Sequence, residues 1–237
     1  MSSSSPPNDS CPLHAIHDPV RARAIARDLL AIGAVALEPD EPFTWSSGLR
    51  SPIYCDNRQT LAHPSVRHTL RDGFAELISA HDMLPATIAG TATAGIPHAA
   101  WLADAVDQPM AYVRSAAKAH GTGRQIEGAR TPGSRAVVVE DLVSTGGSAL
   151  EAVSALEAAN IEVVAVLSIF TYQLEAATTA FRDADVPLYV LCDVETLVSE
   201  AQEEGRLTSD EHEALLKWRD DPSAWSEQRG GPALDTQ

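Results

Sequence analysis

Short apolar runs alternate with longer amphipathic stretches along most of the chain. The apolar runs are bounded by turn or polar residues and are short enough for strands buried on both faces. They lie at 86–89, 110–113, 136–139, 163–170 and 188–191. The stretches with apolar residues at helical spacing lie at 22–32, 64–80, 96–106, 149–159 and 174–183. This alternation predicts an α/β fold, in which helices flank both faces of a central parallel sheet.

The N-terminal part of the chain does not follow this alternation. Residues 1–17 are rich in Ser, Pro and Asn, which predicts a disordered tail. Segment 18–62 begins with a helix and continues with short strand-like runs between turn residues, which predict a small β element. The alternating core then occupies 63–193.

The C-terminal segment, 194–237, also differs from the core. It contains two acidic amphipathic stretches, which predict a helical extension. Trp218 and Trp225 are candidate packing anchors, and a loose tail is expected beyond Asp220.

Charge and cysteine content exclude several classes of protein. With 33 acidic and 17 basic residues the net charge is -16, so the surface repels nucleic acids and anionic membranes. Such an acidic excess is typical of salt-adapted proteins, in which high ionic strength screens self-repulsion. The three cysteines form no CxxC pair, and the first ten residues have neither a basic start nor an apolar core. We therefore expect a cytoplasmic protein with no nucleic-acid or membrane partner.

The segment 136–148, AVVVEDLVSTGGS, carries the clearest candidate chemistry. Its apolar run predicts a buried strand that ends at Glu140 and Asp141, followed by a small-residue loop and a helix. Glycines let successive N–H groups converge, and a helix N-terminus favours an anion, so the loop is interpreted as a phosphate site. The carboxylates are suited to sugar hydroxyls or to a divalent cation held through water. The combination indicates a phosphorylated sugar, although a lone Gly-Gly pair is more often an ordinary turn.

A second candidate is the stretch 111–128, AYVRSAAKAHGTGRQIEG, within a polar region predicted to be a loop from 114 to 134. It concentrates four basic residues among small ones, namely Arg114, Lys118, His120 and Arg124. In so acidic a chain this clustering favours an anion-binding loop. From composition alone, a solvated loop whose cations pair with nearby acids is equally compatible.

Taken together, these segments resemble the orotate phosphoribosyltransferase family of type I phosphoribosyltransferases. Segment 136–148 is similar to the family's loop for the diphosphate sugar, and 111–128 is similar to its flexible catalytic loop. The segment 43–58, FTWSSGLRSPIYCDNR, resembles the family's N-terminal β hood. GTATAG at 90–95 resembles its diphosphate-binding loop, and the resemblance spans roughly 21–193.

The resemblance implies a fold, an activity and a set of site residues. It implies a type I phosphoribosyltransferase fold with a small N-terminal hood. The implied enzyme is a Mg²⁺-dependent pentosyltransferase that joins orotate to ribose 5-phosphate from 5-phosphoribosyl 1-diphosphate, releasing diphosphate and orotidine 5'-phosphate. Cations that arrive with a closing loop would stabilise the departing diphosphate more than the ground state. A homodimer is also implied, in which this loop completes the site of the neighbouring subunit.

The residue roles implied by the resemblance fall into three groups. Lys118, His120 and Arg114 would serve the diphosphate as catalytic residues, and Glu140 and Asp141 would hold ribose hydroxyls. The 5'-phosphate would be held by Leu142, Val143, Ser144, Thr145, Gly146, Gly147 and Ser148. Ser144 would also hydrogen-bond orotate. No residue is assigned as a metal ligand.

The chain departs from some family members at four positions. Ser46, Ala94 and Ser115 stand where some members have Lys, and Tyr172 stands where some have Arg. These differences are interpreted as marks of a subfamily. Two other functions stay open: a purine-base phosphoribosyltransferase, if the hood resemblance is accidental, and a regulator that binds the diphosphate sugar without turnover.

Overall fold

A computed structural model of the chain describes residues 15–84, 86–115 and 124–234. In chain order its strands are β1 (Ala15–Ile16), β2 (Val35–Leu37), β3 (Phe43–Thr44), β4 (Arg50–Ser51), β5 (Ile53–Cys55), β6 (Thr87–Thr91), β7 (Met110–Val113), β8 (Ile126–Gly128), β9 (Arg135–Val143), β10 (Glu162–Thr171) and β11 (Leu188–Asp193). Its helices are α1 (Pro19–Ala31), α2 (Pro64–Ala80), α3 (Gly95–Ala105), α4 (Gly147–Ala158), α5 (Glu175–Asp183), α6 (Val194–Glu203), α7 (Ser209–Asp220) and α8 (Pro222–Glu227), with a 3-10 helix at Asn57–Ala62. None of these helices is long and apolar enough to cross a membrane.

The central sheet has seven strands in the order β1-β11-β10-β9-β6-β7-β8. All neighbouring pairs are parallel except β7 and β8. The chain moves outward in one direction from β6 to β7 and in the opposite direction from β9 through β10 to β11. The two directions meet between β6 and β9, and parallel sheets bind ligands at such a switch point, beyond the carboxyl ends of the strands. The predicted α/β fold is confirmed.

Helices cover both faces of the sheet, and β9 shows how the sequence achieves this. Val137 and Val139 belong to the larger apolar core, together with residues of α1, α2, α3 and α6. Ala136 and Val138 point to the other face, into the core built with α4 and α5. All four are fully buried, which is why this strand is a continuous apolar run.

The hood consists of two small antiparallel ladders, β2 with β5 and β3 with β4. The indole N–H of Trp45 donates to the carbonyl of Ile53 at 3.3 Å and so ties the two ladders together. Asn57 ties the hood to the sheet, because its side-chain amide donates to the carbonyl of Asp141 at 2.6 Å. The hood therefore lies directly against the strand that carries the paired carboxylates.

Two predictions for the N-terminal half of the chain need correction. Residues 15 and 16, assigned to a disordered tail, form β1 and pair with Tyr189 and Val190 at the edge of the sheet; residues 1–14 lie outside the described ranges. The predicted loop 114–134 contains β8, in which Ile126 is buried and pairs with Val113. In both cases the edge of a neighbouring strand supplies hydrogen bonds that the local sequence does not reveal.

Two further predictions, one on β9 and one on the C-terminus, are also wrong. The strand expected to stop before Glu140 continues to Val143, because β10 pairs with it as far as Thr171. The chain beyond Asp220 is not a loose tail: it forms α8, and Trp225 is buried there. Trp218 is fully buried, as expected of an anchor. The boundaries drawn from the sequence between tail, hood, core and extension stay predictions.

Candidate active site

The paired carboxylates lie at the switch point of the sheet. Thr91 ends β6, Glu140 is near the carboxyl end of β9, and the Thr91 hydroxyl donates to Glu140 Oε1 at 2.7 Å. This hydrogen bond joins the two strands at which the chain reverses its direction across the sheet. Glu140 and Asp141 thus occupy the edge at which a parallel sheet binds ligands.

Glu140 is buried and its oxygens are held by the protein. Besides Thr91, the backbone N–H of Asp141 donates to Oε1 at 3.0 Å, and the Ser148 hydroxyl donates to Oε2 at 2.9 Å. These hydrogen bonds offset the cost of burying a carboxylate. Because Ser148 lies in the first turn of α4, Glu140 also fixes the start of that helix relative to the sheet.

Asp141 is half-buried and has different electrostatic surroundings. Burial raises the pKa of its carboxyl to about 8, and the hydrogen bond and charge of Glu140 act in the same direction. The charge of Arg58 opposes the shift only weakly. A carboxyl of this kind gains from hydroxyl donors or a cation placed beside it, since both favour its charged form.

The loop from Ser144 to Ser148 has the backbone of an anion cradle. Gly146 precedes α4 with φ +90°, and a Cβ there would lie 2.9 Å from the Phe181 ring, so the position requires glycine. No side chain caps this helix. A Cβ on Gly147 would meet nothing within 4 Å. The first N–H groups of α4 thus have no side-chain acceptor at the cap, there is free space beside Gly147, and an anion bound there would accept their hydrogen bonds.

A cavity of about 450 Å³ opens beside this cradle. Its lining residues come from the hood, the phosphate loop, the end of β10 and the C-terminus, and they are Thr44, Trp45, Ser46, Ser47, Tyr54, Cys55, Leu142, Ser144, Thr145, Tyr172 and Leu234. Among these described lining residues there is no Asp, Glu, Lys, Arg or His, and burial raises the pKa of the Cys55 thiol and of the Tyr172 phenol well above their usual values. The cavity suits a flat ring with a polar edge.

Three aromatic rings form one wall of this cavity and its backing. The centroids of Trp45 and Tyr172 lie 5.1 Å apart, and Trp218 of α7 packs edge-on against both at 5.8 and 5.5 Å. The first two rings line the cavity, whereas Trp218 is buried behind them. Hood, core strand and C-terminal extension therefore meet at this wall.

Comparisons with known proteins agree with this geometry. A family model described as phosphoribosyl transferase domain matches residues 59–195. An orotate phosphoribosyltransferase of Bacillus caldolyticus is 55% identical over 201 residues, which cover 85% of this chain and 97% of that protein. The corresponding protein of Bacillus pumilus (strain SAFR-032) is 54% identical over 206 residues, covering 86% of this chain and 97% of that protein. The chain belongs to the orotate phosphoribosyltransferase family.

A solved structure supports the same assignment. The crystal structure of orotate phosphoribosyltransferase from Aeropyrum pernix is 27% identical, with a TM-score of 0.64, and the match covers 78% of this chain and 99% of that chain. The sheet, the flanking helices and the N-terminal hood described above are thus those of a type I phosphoribosyltransferase. The protein is a pentosyltransferase.

The basic loop expected in this family is described only in part. Arg114 follows β7 directly and is half-buried, with its backbone N–H donating to the Gln125 carbonyl at 3.0 Å. Arg124 is exposed on the returning side of the hairpin. Lys118 and His120, both predicted to serve the diphosphate, lie outside the described residues. Because β7 runs parallel to β9, Arg114 stands at the ligand edge of the sheet.

Sequence reasoning missed three residues of this orotate phosphoribosyltransferase site. Thr91 was quoted only as part of the GTATAG motif, yet its hydroxyl holds Glu140. Asn57 is buried and binds the Asp141 carbonyl, which the DNR triplet alone does not reveal. Leu234 lines the cavity although it lies in the region predicted to be loose. Only Thr91 had a local signal, namely a polar residue at the end of an apolar strand.

Proposed function

We propose that this chain catalyses the Mg²⁺-dependent transfer of ribose 5-phosphate from 5-phosphoribosyl 1-diphosphate to orotate, in pyrimidine biosynthesis. The observation that carries the proposal is the junction of two subsites. Ser144 and Thr145 belong to the phosphate loop and also line the cavity walled by the hood. A sugar phosphate held by the loop would therefore place its C1 towards a ring bound in the cavity.

The sugar phosphate would be held by backbone and carboxylate groups in distinct roles. The N–H groups at the start of α4 would hold the 5'-phosphate, aided by the hydroxyls of Ser144, Thr145 and Ser148. Asp141 would accept hydrogen bonds from the ribose hydroxyls. Glu140 already accepts hydrogen bonds from protein donors, so its main proposed role is to fix the loop. Its remaining lone pairs could accept a hydrogen bond from a ribose hydroxyl.

Orotate would bind between the hood and the phosphate loop. Its ring would contact Trp45 and Leu142, and its polar edge would meet the hydroxyls of the cavity, including that of Ser144. Tyr172 is 2% exposed and stands where some relatives have Arg. We propose that neutral donors, the hydroxyls of Ser46 and Ser47, hold the orotate carboxylate here in place of a cation.

Mg²⁺ fits the donor set of this site as a companion of the substrate. Mg²⁺ binds through one or two carboxylates together with substrate phosphates and keeps several waters. Asp141 is the carboxyl suited to hold it through water, because burial raises the pKa of that group and a cation would restore its charge. When bound, Mg²⁺ would neutralise charge on the diphosphate.

The proposed reaction is a displacement at the ribose C1 carbon. The bond from C1 to the diphosphate oxygen breaks as C1 gains oxocarbenium character, and an orotate ring nitrogen forms the new bond from the opposite face while its N–H proton passes to solvent. No covalent protein nucleophile is required. Arg114, with Lys118 and His120 of the basic loop, would stabilise the charge on the departing diphosphate.

The proposed activity is tested by mixing purified protein with Mg²⁺, 5-phosphoribosyl 1-diphosphate and one base at a time. Consumption of orotate is followed by its absorbance, with adenine, hypoxanthine and uracil as parallel reactions. We expect turnover with orotate and none comparable with the other bases. Preference for a purine would favour the purine-base alternative, and binding of the diphosphate sugar without turnover of any base would favour the regulator.

We further propose a homodimer in which the basic loop of one subunit completes the phosphate site of the other. The family resemblance suggests this arrangement, and a physical reason supports it: a basic loop in a chain of charge -16 needs an anionic site on which to close. A cytoplasmic location is proposed as well, supported by the two free, buried thiols of Cys55 and Cys192.

Co-expression of two inactive variants tests the shared site. Lys118→Ala and Asp141→Asn are combined in verified heterodimers, and activity is measured. If the site is shared, one of the two sites in each heterodimer carries both defects and the other carries neither, which restores up to about half of the activity by symmetry. If each site is confined to one chain, every site has one defect and no activity returns.

A further inference from the structure

We propose that the C-terminal segment, residues 221–234, is a functional wall of the base subsite, and that Leu234 is a binding residue for the orotate ring. The inference rests on the proposed function, since it names a further residue of the same site. The segment lies wholly outside the family-model match, which ends at residue 195. Its role follows from how it is fastened to the hood and where Leu234 then lies.

Ser226 fastens the segment to the hood. It is fully buried, and its hydroxyl accepts a hydrogen bond from the backbone N–H of Arg50 in β4 at 3.0 Å. The carbonyl of Ser226 accepts from the N–H of Gly231 at 3.0 Å, which turns the chain back towards the hood. A Cβ on Gly231 would lie 3.2 Å from the backbone nitrogen of Arg50, so the two backbones approach closely.

Two further contacts guide the chain from this point to the cavity. Pro232 packs on the hood turn, where a Cβ on Gly48 would lie 3.3 Å from Cγ of Pro232. The N–H of Leu234 donates to the Ser223 hydroxyl at 3.0 Å. These contacts hold the Leu234 side chain against the larger apolar core and in the lining of the cavity.

Leu234 adds aliphatic surface to a cavity whose other lining side chains are mostly hydroxylated or aromatic. Five lining residues carry hydroxyls on aliphatic side chains: Thr44, Ser46, Ser47, Ser144 and Thr145. The aliphatic lining comes from Leu142 and Leu234, one from the phosphate-loop side and one from the C-terminal segment. A planar base needs apolar contact on its faces as well as donors at its edge, so Leu234 contributes to binding the base. The phosphate cradle, in contrast, is built on β9 and α4.

The test compares Leu234→Ala with Leu234→Met and with the control Leu61→Ala. Leu61 is 36% exposed and lies on the 3-10 helix, outside the cavity lining. For each protein the KM for orotate, the KM for 5-phosphoribosyl 1-diphosphate, kcat and the melting temperature are measured. We expect Leu234→Ala to raise the KM for orotate by about tenfold, the lower range for one lost apolar contact in a pocket. The other three quantities should change little, and Leu234→Met and Leu61→Ala should resemble the unaltered protein.

A second variant keeps the proposal falsifiable if Leu234→Ala folds poorly. Ser223→Ala removes the acceptor of the Leu234 N–H but leaves the side chain in place, and it should raise the KM for orotate alone by about threefold or less. An unchanged or lowered KM for orotate in both variants would overturn the inference. Equal increases in both KM values together with a lower melting temperature would show that the segment has only a structural role, which would also overturn the inference. If the unaltered protein does not turn over orotate, the proposed function itself fails, and the inference falls with it.

Discussion

At the level of single residues, the neighbouring carboxylates Glu140 and Asp141 have different roles. Glu140 is surrounded by three protein donors, from Thr91, Asp141 and Ser148, and so behaves as part of the scaffold. Asp141 is half-buried near the hood: burial raises the pKa of the Cys55 thiol and of the Tyr172 phenol, and the charge of Asp141 adds to both shifts. Asp141 is therefore the better placed of the two to respond to a ligand.

Replacing Asp141 by Asn should impair the use of 5-phosphoribosyl 1-diphosphate without unfolding the protein. The amide keeps the shape of the side chain but loses charge-assisted hydrogen bonds worth about 1.5 to 3 kcal/mol each. We expect kcat/KM to fall by about ten- to a hundredfold or more. The matched control is Asp40→Asn at an exposed position of the hood. Unchanged kinetics in Asp141→Asn would remove this residue from the site.

His98 of α3 gives a prediction about stability and pH. The side chain is 3% exposed, and burial lowers its pKa to about 4 from the ordinary 6.5. Between these values the unfolded chain binds a proton that the folded protein does not, so the free energy of unfolding falls as the pH drops below about 6.5. This group alone should remove about 1 kcal/mol between pH 7.5 and 5.5.

Urea unfolding at both pH values measures this effect. Between the two pH values the free energy of unfolding of His98→Gln should fall by about 1 kcal/mol less than that of the unaltered protein, whatever the substitution costs at each pH. His68→Gln, at an exposed position of α2, should lose as much as the unaltered protein. Equal losses in all three proteins would show that His98 titrates normally in the folded state.

At the level of elements, two adjacent glycines at the start of α4 have different roles. Gly146 is required by the backbone conformation, whereas Gly147 leaves room for the phosphate. Gly146→Ala would place a Cβ at a positive φ and 2.9 Å from Phe181, which should cost about 2 to 4 kcal/mol of stability. In Gly147→Ala the added methyl group has no neighbouring atom within 4 Å, so the melting temperature should equal that of the unaltered protein. The methyl group would instead crowd the phosphate, and the KM for 5-phosphoribosyl 1-diphosphate should rise. Thermal melts and kinetics of both variants test these two expectations. A Gly146→Ala variant with the melting temperature of the unaltered protein would contradict the conformational requirement.

The core elements could be predicted from the sequence because their signals are local. Continuous apolar runs marked the inner strands, and helical spacing marked the helices between them. The phosphate loop was found for a related reason, since its chemistry lies in consecutive residues. The prediction failed where distant segments supply the partner: β9 runs on to Val143 because β10 pairs with it, and α8 is ordered because Ser226 meets Arg50. No local pattern records a contact between residues 176 positions apart.

At the level of the whole molecule, charge determines how stability should depend on salt. Surplus carboxylates repel one another in a chain of net charge -16. Surface pairs such as Lys217 with Glu213 are exposed and contribute little to stability, so the loss on screening them is small. Molar potassium chloride should therefore keep or raise the melting temperature while it weakens phosphate binding. Choline chloride at equal ionic strength is the control for a specific potassium effect. A melting temperature that falls steadily with added chloride would argue against salt adaptation.

The active site also spans two regions that should differ in how fast their amide protons exchange with solvent. β9 has a parallel partner on each side, β10 and β6, so its amides open only with much of the sheet. The hood ladders contain two strands each, and isolated two-stranded ladders are weakly stable. The sugar and phosphate would then bind to a surface that is already rigid. The base would bind to the hood, whose amide exchange should become slower when the base is bound. Deuterium uptake measured with orotate should thus drop in β2 to β5 and stay nearly constant in β9.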